Sequence, residues 1–347
     1  MALRWLEGFD VTVSSVGDGL VSRYAATTLP TVIEYVSGRY SGSAIRAKSD
    51  PFKLTTPAFD DHATWTIGFH LLFRAPETID LLTFYRGGTA QMTVSVVPDG
   101  DDMVLSLKRG ATVLATYTID VPDDWIHFEL KTTFHTTAGA YELRLNGITV
   151  LAATNQNTAN TGSNDADQVQ LWLEVPVSST AFMVIDNWYV LDGSGTSNTT
   201  FLGDSAIEEK LVFAPGTFTE WAPKLEGQVN AENVDDVGDH DGNTTYNAAD
   251  TVNLTDTFMM SALNVLITVA GVQLEIVGAI EVAAGSEDIK AITVVDTVDH
   301  ASDTLTLTSE EPDYQAVHWV WDVNPETDDP WTPEVLAAVE FGYRSIA

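Results

Sequence analysis

Four oxygen-bearing side chains in the second half of the sequence have the spacing of a calcium-binding loop. Asp239, Asp241, Asn243 and Asp250 match positions one, three, five and twelve of that loop pattern. Position six is Thr244, where the sharp turn of the pattern needs glycine. An acidic, solvated loop with an Asp-Gly turn is therefore the favoured interpretation. Calcium stays a candidate ligand, and the sequence calls for no other cofactor.

The carboxylates of the first half do not form the pair that a glycosidase needs at one sugar. No Glu-x-Asp-x-x-Glu run is present, and Glu129, Glu142, Glu174 and Asp186 lie singly on separate segments. We interpret them as solvated positions on strand faces, although carboxylates from distant strands can still converge. The sequence therefore predicts no enzyme and no catalytic residue.

Other catalytic and binding patterns are equally sparse. The seven histidines are scattered without a metal-binding pair at helical spacing, and neither a Gly-x-Ser-x-Gly elbow nor a phosphate loop occurs. Trp319 and Trp321 lie on one face of a predicted strand and could stack on sugar rings. Large aromatic side chains at period two more often face a core, which is the favoured interpretation. Residues that bind a glycan are not assigned.

Hydrophobic side chains in the first half alternate with period two, which is typical of β-strands with one buried face. Any functional site in this half is therefore expected to be positioned by strands. Trp65, Ile67, Phe69, Leu71 and Phe73 share one face of a predicted strand. Asn146-Gly147 is a hairpin signal, since both central residues of a type I′ turn need positive φ. Further strands are predicted at 91–97, 103–107, 112–119, 148–151, 168–173 and 182–191, with a long surface loop at 152–167.

A glycine- and serine-rich stretch at 192–198 predicts a linker, so we place one domain at 1–195 and a second at 196–347. Strands of the second domain are predicted at 257–272, 273–282, 291–295, 304–308 and 316–323. Thr332, Pro333 and Glu334 form a capped helix start, and this helix is predicted to end near Glu340 before a closing strand at 341–346. The predicted fold class is all-β: a jelly-roll β-sandwich followed by a smaller β-sandwich with one short C-terminal helix.

The formal net charge is −34 and is unevenly distributed. Residues 1–195 hold 12 basic and 22 acidic side chains (12 − 22 = −10), and residues 196–347 hold 4 and 28 (4 − 28 = −24). Such a surface repels phosphate backbones and anionic lipid, which argues against nucleic acid and membranes as partners. The segment 259–284 contains polar and acidic residues that do not suit a spanning helix. The N-terminus shows no apolar signal core, so synthesis in a cytoplasm is expected.

Four segments of the first half resemble the concanavalin A-like, laminin-G-like jelly roll. They are Trp65-Thr66-Ile67-Gly68-Phe69, Trp125-Ile126-His127-Phe128, Tyr141-Glu142-Leu143-Arg144-Leu145-Asn146-Gly147 and Ile185-Asp186-Asn187-Trp188-Tyr189-Val190. That superfamily includes lectins, glycosidases and structural domains, so the resemblance implies a lectin-like fold more than a function.

The second half is similar to structural proteins of tailed bacteriophages, in which a jelly roll precedes a C-terminal module of this kind. The similarity is carried by Phe201-Leu202-Gly203-Asp204, Trp221-Ala222-Pro223, Asp239-His240-Asp241-Gly242-Asn243-Thr244-Thr245-Tyr246 and Asn324-Pro325-Glu326-Thr327-Asp328-Asp329-Pro330-Trp331-Thr332. It implies a non-enzymatic virion protein, placed in the capsid decoration, head fibre, neck or tail, that forms homo-oligomers and contacts other virion proteins. The alternative is a carbohydrate-binding adhesin that recognises a host or environmental glycan.

Overall fold

The computed structural model describes residues 2–10, 23–25, 33–40, 42–47, 51–74, 78–100, 102–120, 124–174, 182–225, 227–236, 240–263, 268–281, 286–309 and 313–346. These residues divide into two compact units. The first unit holds the described residues up to 207, apart from Arg23, and the second holds Arg23 and those from 208 onwards. The sequence placed the boundary at 195/196, and the contacts assign residues 196–207 to the first unit.

The first unit is built from β-strands, of which those at 64–74 and from 89 onwards fall close to the predicted positions, whereas those at 33–55 and 79–86 were not predicted. The strands are β1 (Leu3–Glu7), β2 (Ile33–Ser37), β3 (Ser43–Ala47), β4 (Phe52–Thr55), β5 (Thr64–Arg74), β6 (Ile79–Arg86), β7 (Thr89–Asp99), β8 (Asp102–Arg109), β9 (Thr112–Asp120), β10 (Ile126–Thr133), β11 (Gly139–Leu145), β12 (Ile148–Gln156), β13 (Gln168–Leu173) and β14 (Phe182–Leu191). In the described part of the chain they pair into two antiparallel sheets. One has the order β12-β11-β10-β5-β14-β3-β2, with β1 also on β14, and the other has the order β4-β13-β6-β7-β8-β9. The predicted all-β class, with a β-sandwich in the first unit, is therefore confirmed.

Period-two alternation explains which face of each sheet is buried. The predicted apolar face of β5 is at most 1% exposed from Trp65 to Phe73. Across the β5–β10 pair, Phe69 lies opposite Phe128 and their rings stack with centroids 4.8 Å apart. The intervening residues of β5 and β10 must then point to the opposite face of the sheet.

The Asn146-Gly147 turn joins β11 to β12 as predicted. Asn146 has φ 49° and Gly147 has φ 77°, the left-handed values that a type I′ turn needs. The return strand extends to Gln156, so the loop begins five residues later than the predicted start at 152.

Residues 157–167 are held in place by the amide of Gln91, which is fully buried. Gln91 Nε2 donates to Thr161 Oγ1 at 2.7 Å and to the carbonyl of Asp165 at 2.9 Å. Its Oε1 accepts from the backbone N–H groups of Asn160 and Thr161 at 2.7 and 3.0 Å. One side chain thus satisfies several backbone groups that a loop cannot pair by itself.

The second unit is a smaller β structure. Its elements are β15 (Val212–Thr219), β16 (Ala222–Pro223), a 3₁₀ helix (Asn230–Asn233), β17 (Asn247–Ala248), β18 (Thr255–Met260), β19 (Val272–Gly278), β20 (Glu287–Val295), β21 (Val298–Ala301), β22 (Leu305–Leu307), β23 (Gln315–Trp321), α1 (Pro333–Leu336) and β24 (Glu340–Ser345). The main sheet has the order β15-β18-β24-β20-β21, with β22 also on β20, while β19 pairs with β23 and β16 with β17. The β19–β23 ribbon packs on the main sheet through a shared hydrophobic cluster that contains Ala291, Trp321 and Phe341.

Helix α1 begins as predicted and ends earlier. Thr332 Oγ1 accepts from the N–H of Val335 at 3.3 Å, and proline occupies the first helical position. The helix stops at Leu336 because Val339, which is 2% exposed, enters the core and Glu340 already begins β24. Among the described residues, no helix combines the length and the apolar character that a membrane crossing requires.

Candidate functional site

The outward face of the larger sheet carries a cluster of buried polar side chains. Strand β5 lies between β10 and β14, and in this register His70 is opposite both His127 and Asp186. These three side chains are at most 1% exposed, although they lie on the face away from the stacked phenylalanines. Burying such groups is costly unless they are paired, so something must cover them and supply partners.

That cover is the segment 199–207, which follows β14 and folds back over the sheet. We call it the covering segment. It is anchored at both ends, because Lys131 Nζ donates to the carbonyl of Thr199 at 3.2 Å and the N–H of Ile207 donates to Asn187 Oδ1 at 2.6 Å. Between these points the Arg144 guanidinium lies 3.9 Å from the centroid of the Phe201 ring. The sequence Phe201-Leu202-Gly203-Asp204 therefore packs on the first unit rather than opening the second.

Glu129 is the central acceptor beneath the covering segment. Its Oε1 accepts from the hydroxyl of Tyr189 at 2.5 Å and from the N–H of Gly203 at 2.9 Å, and the side chain is 1% exposed. Burial, together with the nearby Glu129 charge, raises the pKa of Tyr189 far above its usual value, so the phenol stays protonated and donates. The Tyr189 ring lies over Gly68, where an added Cβ would come within 2.1 Å of it. This contact explains a glycine in the middle of β5.

Asp204 brings the covering segment to His70. The carboxylate accepts from His70 Nε2 at 2.7 Å, from the Tyr40 hydroxyl at 2.5 Å and from Arg39 Nη2 at 2.9 Å. Burial raises the pKa of Asp204, but the hydrogen bonds from Tyr40 and His70 and the Arg39 charge outweigh it and lower the pKa overall. The carboxylate is therefore ionised at neutral pH.

Both buried histidines are neutral. Burial lowers the pKa of His70 to about 4 despite its hydrogen bond to Asp204, and burial also lowers the pKa of His127. The two rings lie 4.9 Å apart, and His127 Nδ1 is 3.8 Å from Glu129 Oε2. Within the described residues, the Nδ1 atoms of both rings are buried and have no hydrogen-bond partner.

Asp186 differs from Asp204 in that its pKa is raised rather than lowered. Its Oδ2 accepts from the N–H of Arg39 at 2.8 Å, and burial raises its pKa to about 7. The register of β14 against β5 shifts between Asp186 and Tyr189, where Asn187 adopts φ 52°. This bulge places the side chains of Asp186 and Tyr189 on the same face of the sheet.

The structure corrects the prediction that the first-half carboxylates are solvated. Glu129 and Asp186 are each 1% exposed and belong to one cluster, because cross-strand pairing brings together residues that are distant in sequence. Glu142 is half-buried and paired with Arg144 at 2.8 Å. Glu174 also has interaction partners and lies at the end of β13.

The calcium candidate is only partly described. Asp239 lies outside the described residues. Asp241 accepts from Thr245 through both carboxylate oxygens, at 3.0 Å from the backbone N–H and 2.8 Å from the hydroxyl. Asn243 Oδ1 accepts from the Tyr314 hydroxyl at 2.5 Å, and Asp250 is exposed. Calcium binding at Asp239, Asp241, Asn243 and Asp250 therefore stays a prediction.

The tryptophan pair belongs to the core, as the favoured interpretation had it. Trp321 is 6% exposed, and Trp319 packs against the same cluster. The indole N–H of Trp331 donates to the carbonyl of Trp321 at 3.1 Å, which fixes this part of the core.

Sequence analysis missed the residues that the structure does bring together: Arg39, Tyr40, His70, His127 and Asp204. A signal existed for two of them, since His70 and His127 each lie on the polar face of a strand whose other face is apolar. The register that makes them neighbours follows from long-range pairing and could not be read from spacing.

No family model and no curated protein matches the sequence. Solved structures to which part of the chain is similar include the CBM2 module of Lactobacillus casei BL23 phage J-1 evolved Dit, at 10% identity and TM-score 0.38, covering 56% of this chain and 98% of that chain. Domain 4 of AbnA, a GH43 extracellular arabinanase from Geobacillus stearothermophilus in complex with arabinotriose, has 16% identity and TM-score 0.35 over 56% and 94% of the two chains. A mutant of the alginate lyase Aly36B, in complex with alginate tetrasaccharide, has 9% identity and TM-score 0.36 over 53% and 95%. These neighbours are a carbohydrate-binding module, one domain of an arabinanase and an alginate lyase, and at this level of similarity no residue role is transferred from them.

Proposed function

We propose that the protein is a non-enzymatic structural component of a phage particle and that its first unit recognises carbohydrate. The observation that carries the recognition part is an exposed aromatic ring beside a partly exposed charged pair. Tyr40 is 51% exposed, and its neighbours Arg39 and Asp204 form a 2.9 Å ion pair at the rim of the buried cluster.

The chemistry of this rim suits a sugar. An aromatic ring offers an apolar face to the C–H groups of a pyranose, and a guanidinium with a carboxylate offers donors and acceptors to its hydroxyls. The Asp204 side chain is 48% exposed and that of Arg39 20% exposed, so both reach solvent. The groups are held in place before any ligand arrives, because the Tyr40 hydroxyl and Arg39 both donate to Asp204. Such preorganisation lowers the entropic cost of binding.

The same geometry favours binding over catalysis. Glu129 lies under the covering segment with its Oε1 engaged by Tyr189 and Gly203, and Asp186 is buried against the Arg39 backbone. Neither group reaches the exposed rim, whereas a glycosidase needs two carboxyl groups at the scissile bond.

A glycan panel tests the recognition site. The full chain should bind a subset of polysaccharides, and Tyr40→Ala should weaken that binding about tenfold or more through loss of the stacking ring. Tyr117→Ala, on β9 of the other sheet, is the matched control and should bind like the native chain. Binding that Tyr40→Ala leaves unchanged would contradict the proposed site, and no binding to any member of the panel would contradict carbohydrate recognition.

Assembly is the second part of the proposal, and an exposed phenylalanine on an edge strand favours it. Strand β15 ends the main sheet of the second unit in the described part of the chain, and its Phe213 is 76% exposed. Pro215 lacks an N–H, which disfavours edge-to-edge strand pairing, so contacts through β15 would use side chains. We propose that another copy of the chain covers Phe213.

Sedimentation or light scattering of the full chain measures this directly. An oligomer that Phe213→Ser dissociates supports the assembly surface, and Ile148→Ser is the control because Ile148 is 69% exposed on the other unit. A chain that stays monomeric at high concentration and high salt would refute self-assembly through this strand.

A further inference from the structure

We propose that His70, His127 and Asp204 form a binding site for a divalent transition-metal ion, with zinc as the best match. One ring nitrogen of each histidine and one carboxylate oxygen of Asp204 lie within 4.8 Å of one another. Two imidazoles and one carboxylate are the donor set of many zinc sites, which keep a fourth position for water.

The three ligand atoms lie within 4.8 Å of one another, with one pair at 2.7 Å, so they must adjust to reach the spacing of a tetrahedral site. Ligand bonds of about 2.0–2.1 Å place two ligand atoms of a tetrahedral ion about 3.3 Å apart. His70 Nε2 and Asp204 Oδ1 are now 2.7 Å apart, joined by a hydrogen bond, so an ion between them needs an opening of about half an ångström. The proton on His70 Nε2 would move to Nδ1 as the ion takes its place, so no proton is lost from the ring.

The surrounding groups hold these ligands in place. Arg39 Nη2 donates to Asp204 Oδ2, and the Tyr40 hydroxyl donates to the Oδ1 atom that faces His70. The Glu129 carboxylate lies 3.8 Å from His127 Nδ1, which leaves the other nitrogen of that ring for the ion. At this distance the carboxylate makes no hydrogen bond to the ring, but a small movement would give the carboxylate–histidine pair that orients the ligand in many metal sites.

Unpartnered nitrogen atoms provide a separate observation. His70 is fully buried and His127 is 1% exposed, yet within the described residues the Nδ1 atoms of both rings have no hydrogen-bond partner. Buried polar atoms without a partner are uncommon in folded proteins, because burying them is unfavourable. An ion bound through the other nitrogen of each ring leaves these Nδ1 atoms as they are, but its bonds to the two rings stabilise imidazoles that the protein alone does not fully satisfy.

Charge and ligand type select the class of ion. The carboxylates of Glu129, Asp186 and Asp204 face the cluster, and Arg39 is the one arginine or lysine that contacts Asp204 among the described residues. Nitrogen ligands favour zinc, cobalt, nickel or copper over calcium and magnesium, which take oxygen ligands. The site is thus chemically distinct from the candidate at Asp241.

The test is metal binding by the full chain after treatment with a chelator. Zinc titration in high sodium chloride should show one tightly bound ion, because salt screens the diffuse attraction of a chain with net charge −34. Cobalt substituted for zinc should give the visible absorption bands of a four-coordinate site with nitrogen ligands. This spectrum is recorded on the native sequence and so does not depend on the folding of any variant.

Variants locate the site. His127→Gln and Asp204→Asn should each weaken zinc binding about tenfold or more, whereas His135→Gln, in an exposed turn of the same unit, should not. No stoichiometric zinc binding in high salt, or a cobalt spectrum of a six-coordinate aquo ion, would overturn the proposal. Binding that both ligand variants retain would also overturn it and would assign the ion to the acidic surface.

Discussion

Replacing Asp186 by asparagine should change how the stability of the first unit depends on pH. Burial raises the pKa of Asp186 from its ordinary value of 3.8 to about 7, so between these values the folded chain holds a proton that the unfolded chain has lost. The free energy of unfolding of the native chain therefore falls as pH rises through this window and levels off above pH 7. Asparagine carries no titrating proton and can still accept from the N–H of Arg39, which removes this contribution.

The expected size follows from the shift. From about pH 5 to about pH 8, titration of Asp186 should lower the free energy of unfolding of the native chain by about 3 kcal/mol, at about 1.4 kcal/mol per pH unit below its pKa. Asparagine does not titrate, so the variant should not lose this stability. Asp186→Asn should therefore gain that amount relative to the native chain at the higher pH. The buried histidines contribute to both proteins, so they cancel in the comparison.

Urea titrations with chelator present, combined with hydrogen exchange of amides in β5 and β14, measure this difference in the full chain. Asp120→Asn, at an exposed position of β9, is the control and should follow the native profile. If the profiles of Asp186→Asn and the native chain run parallel from pH 5 to pH 8, the carboxyl group does not titrate in this window and the reasoning from burial fails.

Three further predictions concern the covering segment, enzymatic activity and calcium. A fragment 1–207 should unfold at higher urea concentration than 1–195, because the shorter one leaves buried acceptors and donors under the covering segment unpaired at about 1–3 kcal/mol each. The native chain should hydrolyse no polysaccharide, and turnover that disappears in Glu129→Gln would contradict the non-enzymatic proposal. Sodium chloride at high concentration should reproduce most of the stabilisation that calcium gives, whereas a calcium effect that survives high salt and is lost in Asp241→Asn would establish a specific site at that loop.

Most strands of the first unit could be predicted from the sequence because they carry a local pattern, whereas β2, β3, β4 and β6 were not predicted. The alternation from Trp65 to Phe73 predicts a strand with one buried face. Asn146-Gly147 predicts a type I′ turn, because few other residue pairs adopt positive φ at both central positions. Both signals are local, so neither needs knowledge of what lies beside the strand.

The polar cluster could not be predicted in this way. His70 and His127 become neighbours only through the register of β5 and β10, which arises from long-range packing. Asp204 reaches the two histidines from the covering segment, which has no hydrophobic periodicity. Because this segment follows a linker-like sequence, Asp204 was assigned to the second domain. Composition marked a break in the pattern at 192–198 but did not show that the following residues return to the first unit.

The covering segment also determines how the first unit bears mechanical load. Tension applied along the chain from residue 208 reaches Ile207 first, then Asp204 and Gly203, and only afterwards β14. Their contacts are loaded one after another, so the segment peels away at low force while β14 stays shielded between β5 and β3. Force applied from this direction would thus release the few residues of the covering segment before it reached the strands of the β-sandwich. The covering segment would protect the sandwich against small loads.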